Sequence, residues 1–204
     1  MNAYTVNEIF YSLQGEGARA GTANVFVRFT GCNMQCDLEP GPLSPGGFAC
    51  DTEFTSGRKL TAVEILAAIK EESAVCRWVI LTGGEPALQV DAELVAALKA
   101  AGYSIAIETN GSIDVSDLGL DWIACSPKVA EHAVKLKRAD ELRYVRAHGQ
   151  GIPRPAIQAE CRLISPAFDG PTLNPRHLAW CIQLIKDNPE WQLSTQLHKA
   201  WLVR

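Results

Sequence analysis

The chain has 204 residues, 47% of them hydrophobic and 21% charged, with a formal net charge of -4. That length and balance suit one globular domain spanning residues 1–204 with a full-sized core. No run of Lys and Arg builds the basic face of a nucleic-acid binder, and the apolar runs are too short and strand-like to cross a membrane.

Strand-like segments are expected at residues 5–10 and 24–29. Residues 37–49 follow, with Pro40, Gly41, Pro42, Pro45, Gly46 and Gly47. Such a stretch cannot be a helix or a central strand and reads as a loop tied at both ends. Thr61 and Glu64 form a capping-box pair, opening a helix that presents Ile65, Leu66 and Ile69. Residues 78–82 begin with Trp78-Val79-Ile80-Leu81, the unbroken apolar pattern of a strand covered on both faces. A second helix carries Leu94, Val95 and Leu98, and Gly102 sits where its C-terminal cap belongs. Strands are expected at 104–109, 122–126 and 142–146, then a mobile connection over 147–159, which holds Gly149, Gly151, Pro153 and Pro155. After a strand at 161–165, Asn174-Pro175 supplies the N-cap and first turn of a helix through Trp180, Ile182 and Ile185. A last strand is expected at 192–197, and neither an internal repeat nor a second domain is evident.

Strand–helix–strand alternation predicts an α/β fold with parallel pairing. A complete eight-fold barrel needs about 250 residues, so a shortened or open version is expected, with its site at the C-terminal ends of the strands. The candidate motifs fall there: Gly31-Cys32, Thr82-Gly83-Gly84 and Thr109-Asn110-Gly111 each follow an expected strand.

Seven cysteines are many for a chain whose first ten residues lack the basic start and apolar core of a secretion signal. A cytoplasmic location is therefore expected, and an odd count there argues against a disulfide framework. Cys76, Cys125, Cys161 and Cys181 sit in apolar segments and read as small buried hydrophobes. Cys32, Cys36 and Cys50 sit in a polar stretch rich in Gly and Pro. Three such thiols can hold zinc, an iron–sulfur cluster, or nothing. Structural zinc sites normally close with four ligands, and the nearest His is the distant His132. A 4Fe-4S cluster ordinarily takes four cysteines, so holding one with three leaves an iron open to an outside molecule. The cluster is the favoured reading of the three.

Thr82-Gly83-Gly84-Glu85-Pro86 directly follows an apolar strand. Adjacent glycines let a backbone approach a ligand closely, and Glu85 can accept hydrogen bonds from an ammonium group. A three-cysteine loop after an early strand and this motif after a later one together resemble the radical S-adenosylmethionine (SAM) superfamily. The resemblance implies an incomplete (β/α)6-type barrel, a 4Fe-4S cluster on Cys32, Cys36 and Cys50, and SAM chelated by the open iron.

A narrower resemblance runs along nearly the whole chain. Glu8-Ile9-Phe10-Tyr11-Ser12-Leu13-Gln14-Gly15-Glu16-Gly17, Val25-Phe26-Val27-Arg28-Phe29, Gly31-Cys32-Asn33, Cys50-Asp51-Thr52, Glu108-Thr109-Asn110-Gly111, Ser126-Pro127-Lys128 and Gln196-Leu197-His198-Lys199 are similar to segments of the 7-carboxy-7-deazaguanine synthases, in the same order. The resemblance implies radical contraction of the pterin ring of 6-carboxy-5,6,7,8-tetrahydropterin with loss of ammonia, a lyase step toward queuosine and related 7-deazapurines. Hydrogen leaves C6 of the pterin and is later returned, regenerating SAM.

By the same resemblance, Leu13, Gln14, Gly15, Arg28 and Thr82 hold the substrate, Arg28 gripping its carboxylate. Glu16 and Glu108 take the amino-pyrimidine edge, and His198 with the Arg204 carboxylate closes the pocket. Thr52 ligates magnesium; Ala49, Cys50, Asp51, Gly84, Glu85, Ser126, Pro127 and Lys128 line SAM, and residues 165–169 lie near its adenine. A homodimer and a flavodoxin- or ferredoxin-type electron donor are implied as partners. The usual cysteine spacing CxxxCxxC is kept only in its first interval, because thirteen residues separate Cys36 from Cys50. A longer loop can return to the same point at modest entropic cost. The insert is expected to shield the cluster or to dock the reductant. Two rival readings are another radical SAM enzyme, such as an activator of a glycyl-radical protein, and a zinc-stabilised module.

Overall fold

The computed structural model describes residues 2–34, 36, 50, 52–128 and 130–204. The insert at 37–49 and the candidate SAM-lining residues Ala49 and Asp51 lie outside the described residues. In chain order the strands are β1 (Ala3–Leu13), β2 (Ala23–Phe29), β3 (Arg58–Thr61), β4 (Trp78–Gly83), β5 (Ser104–Thr109), β6 (Trp122–Cys125), β7 (Glu141–Arg146), β8 (Cys161–Pro166), β9 (Phe168–Asp169), β10 (Thr172–Leu173) and β11 (Gln192–Leu193). The α-helices are α1 (Ala62–Glu72), α2 (Ala92–Ala100), α3 (Pro175–Asp187) and α4 (Leu197–Trp201).

Nine strands form one sheet in the order β11-β8-β7-β6-β5-β4-β2-β1-β3. From β2 to β11 all pairs are parallel, whereas β1 pairs antiparallel with both β2 and β3. The expected mostly parallel α/β sheet, open rather than a closed eight-fold barrel, is what forms.

Period-2 alternation sends successive side chains to opposite faces. Val25, Val27 and Phe29 of β2, Val79 and Leu81 of β4, Ile105 and Ile107 of β5, and Ile123 of β6 face the helices. There they share one core with Ile65 and Ile69 of α1, Leu94 and Leu98 of α2, and Cys181 of α3. Burying each such side chain stabilises the fold by about 1.5–3 kcal/mol. The helix signals act locally as expected. Thr61 and Glu64 close a capping box, Asp91 caps α2 through Leu94 N, and Asn174 caps α3 through Arg176 N and His177 N. Gly102, just past the end of α2, has φ +83°.

The opposite face of the sheet is layered. Phe10, Phe26, Ile80 and Ala106 form a small apolar patch, with Phe10 and Phe26 stacked at 5.0 Å. The next row along the strands is polar. Glu8 stands opposite Arg28, and Arg28 beside Thr82; one residue past the Leu81–Ile107 pair, Thr82 adjoins Glu108. Glu108 then pairs with Ala124, and Ala124 with Glu141. Charged groups are therefore carried across the sheet's inner face by strand parity.

The two ends of the sheet are bridged by the loop between β1 and β2. Gly17 N donates to Ser194 Oγ at 2.9 Å, Leu197 N to Gly15 O at 2.8 Å, and Gln196 Nε2 to Glu16 Oε1 at 3.0 Å. This lays residues 14–18 over the inner face.

The structure departs from the sequence-based expectations in four places. Among the described residues, no α-helix links β5 to β6, β6 to β7 or β7 to β8; a 3-10 turn at Glu131–Ala133 and irregular chain take their place. The strand expected at 192–197 is two residues long, because Ser194 turns toward Gly17 and α4 begins at Leu197. The connection at 147–159 is anchored rather than mobile. Arg146 Nε donates to Gly151 O and Trp180 Nε1 to Gln150 O, at 2.9 and 2.7 Å, and Ile152 and Ile157 pack on the core. Finally, β3 carries no apolar run (Arg58-Lys59-Leu60-Thr61) and forms as an edge strand on β1.

Candidate active site

At the C-terminal ends of β2 and β4 the backbone is packed too tightly for side chains. A Cβ on Gly83, whose φ is +133°, would lie 2.2 Å from Phe29 O, and one on Gly84 would lie 2.2 Å from Gly31 O and 2.9 Å from Cys32 Cβ. Gly84 N donates to Phe29 O at 3.2 Å and Glu85 N to Gly31 O at 2.9 Å, which fixes the corner where Cys32 begins. Gly31 N in turn donates to Phe54 O at 2.7 Å, tying the segment after Cys50 to the same corner. Cys50 Sγ lies 3.8 Å from Thr52 O.

The Glu85 side chain differs from its expected role. Its carboxylate is fully buried and accepts Thr109 Oγ1 at 2.8 Å, Asn110 N at 2.6 Å and Ala87 N at 3.0 Å. Burial raises its pKa, opposed by the hydrogen bonds from Asn110, Thr109 and Ala87. Sequence reasoning aimed Glu85 at a ligand's ammonium group; the carboxylate instead points into the protein, because three donors at the ends of β4 and β5 need an acceptor. Asn110 extends the network: its Nδ2 donates to Asn33 Oδ1 at 3.0 Å, and Asn33 Nδ2 to Ser112 Oγ at 2.9 Å.

Ser126-Pro127-Lys128 follows β6 beside this network. Ser126 N donates to Thr109 O at 2.8 Å, and Lys128 Nζ to Ser126 Oγ at 2.7 Å. Burial lowers the Lys128 pKa, and Cys36 lies within Coulombic range of it. Burial pushes the Cys32 thiol up, and Cys50 is close enough to add to the effect. The three thiols thus border one end of the sheet. Among the described residues, however, no three Cys, His, Asp or Glu converge as a metal-binding group. Soft sulfur donors beside a corner too tight for any Cβ suit an iron–sulfur cluster better than a hard cation.

Deeper on the inner face, Arg143 of β7 is the hub of a charge cluster. Its Nη2 meets Glu108 Oε2 at 2.7 Å, Nη1 meets Glu141 Oε1 at 2.9 Å, and Nε meets Glu16 Oε2 at 3.1 Å. Gln14 Nε2 donates to Glu108 Oε1 at 2.8 Å, and Ala18 N to Glu141 Oε2 at 2.9 Å. Burial opposes the charge of Arg143, yet Glu108, Glu16 and Glu141 raise its pKa above the ordinary arginine value. For Glu141, burial outweighs Arg143 and pushes the pKa up to about 7. A folded-state value above the unfolded one means the protonated carboxyl is favoured on folding. This contribution to stability is therefore lost as pH rises from about 4.5 to about 7. Carbon-13 NMR of glutamate-labelled protein should show a carboxyl titrating near neutrality that disappears in Glu141→Gln; titration of that carboxyl near 4.5 would contradict the burial argument.

The remaining expected residues are distributed unevenly. Arg28 Nε donates to Glu8 Oε1 at 2.8 Å, with its guanidinium 5.6 Å from the Phe10 ring. His198, on α4, packs over Gly15, where a Cβ would come within 2.3 Å of its Nδ1. Leu13 is exposed, whereas Gln14 and Gly15 are buried. Arg204 lies at the exposed side of β1, away from the expected pocket closure with His198, its side chain on Glu8 and its carboxylate oxygen accepting Ser12 Oγ at 2.7 Å. It borders an open pocket of about 420 Å³ lined by Tyr11, Ser12, Leu13, Leu202 and Val203.

Sequence reasoning missed Arg143, Glu141 and Glu8. The signal was present in Glu141-Leu142-Arg143-Tyr144: charges at alternate positions of a strand covered on both faces must point to one interior.

No family model matches the chain. It is 41% identical to a 7-carboxy-7-deazaguanine synthase from Bradyrhizobium diazoefficiens, over 99% of this chain and 100% of that protein. It is 38% identical to the protein of the same name from Bordetella pertussis, with 97% of each covered. The crystal structure of QueE from Escherichia coli superposes with a TM-score of 0.70 at 24% identity, covering 96% of this chain and 95% of that one, a likeness of fold. At such identity over full length, the chain belongs to the 7-carboxy-7-deazaguanine synthase family.

Proposed function

We propose that this protein converts 6-carboxy-5,6,7,8-tetrahydropterin to 7-carboxy-7-deazaguanine, a radical SAM lyase step with loss of ammonia in queuosine and 7-deazapurine biosynthesis. The observation that carries this reading is the single row of polar side chains on the inner face, Arg28, Thr82 and Glu108, met by Gln14 and Glu16 from the bridging loop, in a chain of this family.

A 4Fe-4S cluster held by Cys32, Cys36 and Cys50, with SAM against Cys50, Gly84, Ser126, Pro127 and Lys128, supplies hydrogen abstraction when bound. Thr52 would hold magnesium, which would supply charge neutralisation for the substrate carboxylate. The chain's own residues do the rest. Arg28 offers a planar donor fork to that carboxylate, with Glu8 fixing the guanidinium from its Nε side. Glu16 and Glu108, acceptor-only when ionised, suit the donor edge of an amino-pyrimidine. Leu13, Gly15 and Thr82 border the ring, and His198 over Gly15 excludes water from above. The same reading takes a homodimer as the working form and a cytoplasmic flavodoxin- or ferredoxin-type protein as reductant.

Arg28→Met is expected to raise KM for 6-carboxytetrahydropterin about 100-fold, the scale of a lost charge-assisted bidentate contact. Binding of tetrahydropterin lacking the 6-carboxylate should hardly change. Equal loss for both ligands, or no loss for either, would refute the role assigned to Arg28 and weaken the substrate assignment.

A further inference from the structure

We propose that Arg143 is a positioning residue that sets substrate specificity: it holds Glu16 and Glu108 as one paired acceptor edge for a ring with a guanidine-like N–C(NH2)–NH face. This deepens the functional reading above and rests on it.

All three guanidinium nitrogens of Arg143 are committed, each to a different carboxylate and a different part of the chain. Nε holds Glu16 of the bridging loop, Nη2 holds Glu108 of β5, and Nη1 holds Glu141 of its own strand. Each carboxylate is fixed again through its second oxygen, Glu16 by Gln196, Glu108 by Gln14 and Glu141 by Ala18 N. Every Arg143 nitrogen is therefore engaged by a carboxylate, with three of its five N–H groups spent, and the residue decides where two carboxylates stand.

Those two carboxylates are the accessible ones. The Glu16 and Glu108 side chains are each 20% exposed, against 2% for Glu141. Each oxygen carries two lone pairs, so both retain acceptor capacity toward the interior. Two carboxylates held on one guanidinium are the acceptors offered to a second guanidine unit, and the N–C(NH2)–N edge of a 2-aminopyrimidinone is one. Ala124, between Glu108 and Glu141 in the row, is small enough to let the Arg143 side chain reach across β6. Arg19 and Lys128 also lie within Coulombic range of the cluster, Arg19 near Glu108 and Glu141, Lys128 near Glu16 and Arg143.

The test uses cluster-loaded protein with SAM. It measures fluorescence binding of pterin-6-carboxylate together with kcat and KM for 6-carboxytetrahydropterin in native protein, Arg143→Met and Arg143→Lys. The expected result for Arg143→Met is pterin affinity and KM each worse by about 100-fold, with kcat, iron content and 5′-deoxyadenosine formation changed far less. Arg143→Lys should recover part of the affinity. If Arg143→Met fails to fold, the Lys variant decides: it keeps the charge but loses the three-way geometry, so native affinity in it overturns the proposal. Native affinity in a folded Arg143→Met overturns it as well. Loss of kcat and cluster along with affinity assigns Arg143 a merely structural role and also overturns it. Pterin-6-carboxylate binding that is present in the native protein and lost in Arg143→Met, without turnover of the tetrahydropterin in either, supports the positioning role while rejecting the proposed reaction. Native protein that binds neither pterin rejects both.

Discussion

Glu85→Ala is expected to destabilise the protein by about 3–5 kcal/mol, the scale of leaving three buried donors without their acceptor. For a chain of this size that is a fall in thermal midpoint on the order of 10 °C. The truncation leaves Thr109 Oγ1, Asn110 N and Ala87 N without their acceptor at a fully buried point. It also uncouples the end of β4 from the end of β5. Glu85→Gln should fall between the two. Its amide oxygen can still serve Thr109 and Ala87, but its NH2 meets the Asn110 N–H, donor against donor. Calorimetry of the three proteins checks this order. A Glu85→Ala midpoint within a degree or so of native would mean that the buried carboxylate contributes nothing to this corner.

Gly84→Ala is the second large effect. Its Cβ would sit 2.2 Å from Gly31 O and 2.7 Å from Gly31 C, and neither backbone atom can swing aside as a flexible side chain would. Relief requires the turn into Cys32 to move, breaking the Glu85 N–Gly31 O bond. After anaerobic reconstitution this variant is expected to hold less than about half the native iron and sulfide, because misplaced thiolates cannot close a cluster. Gly102→Ala is the control. Gly102, unlike Gly84, takes a positive φ, +83°, but no atom lies within 4 Å of the added Cβ, so it should cost only about 1 kcal/mol of backbone strain and no iron. Full iron loading in Gly84→Ala would show that the close approach at Gly31 is not needed to present Cys32.

Legibility from the sequence divided along physical lines. Local signals were readable because one or two residues decide them: the Thr61 box, the Asn174-Pro175 start and the Gly102 stop. Buried parallel strands such as Trp78–Gly83 announced themselves as apolar runs, and the motifs fell at their C-terminal ends. What stayed hidden depends on tertiary pairing. β3 forms because β1 offers it an edge, and 192–197 ends early because Ser194 is drawn to Gly17. Among the functional candidates, Gln14, Glu16 and Glu108 are legible through family likeness; the structure brings Glu16 and Glu108 together on Arg143, with Gln14 donating to Glu108. Arg143 itself escapes because nothing in a short motif says that three segments meet at one guanidinium. Glu85 was assigned outward because a glutamate after two glycines reads as a ligand contact. Only the structure reveals Thr109, Asn110 and Ala87 waiting for it.

The most direct test of the central claim is anaerobic turnover. Reconstituted protein is incubated with SAM, magnesium, a reductant and 6-carboxy-5,6,7,8-tetrahydropterin, and the products are read by mass spectrometry. The expected product is 7-carboxy-7-deazaguanine, formed only when all of Cys32, Cys36 and Cys50 are present. Unchanged pterin in the presence of a verified, intact cluster would contradict it.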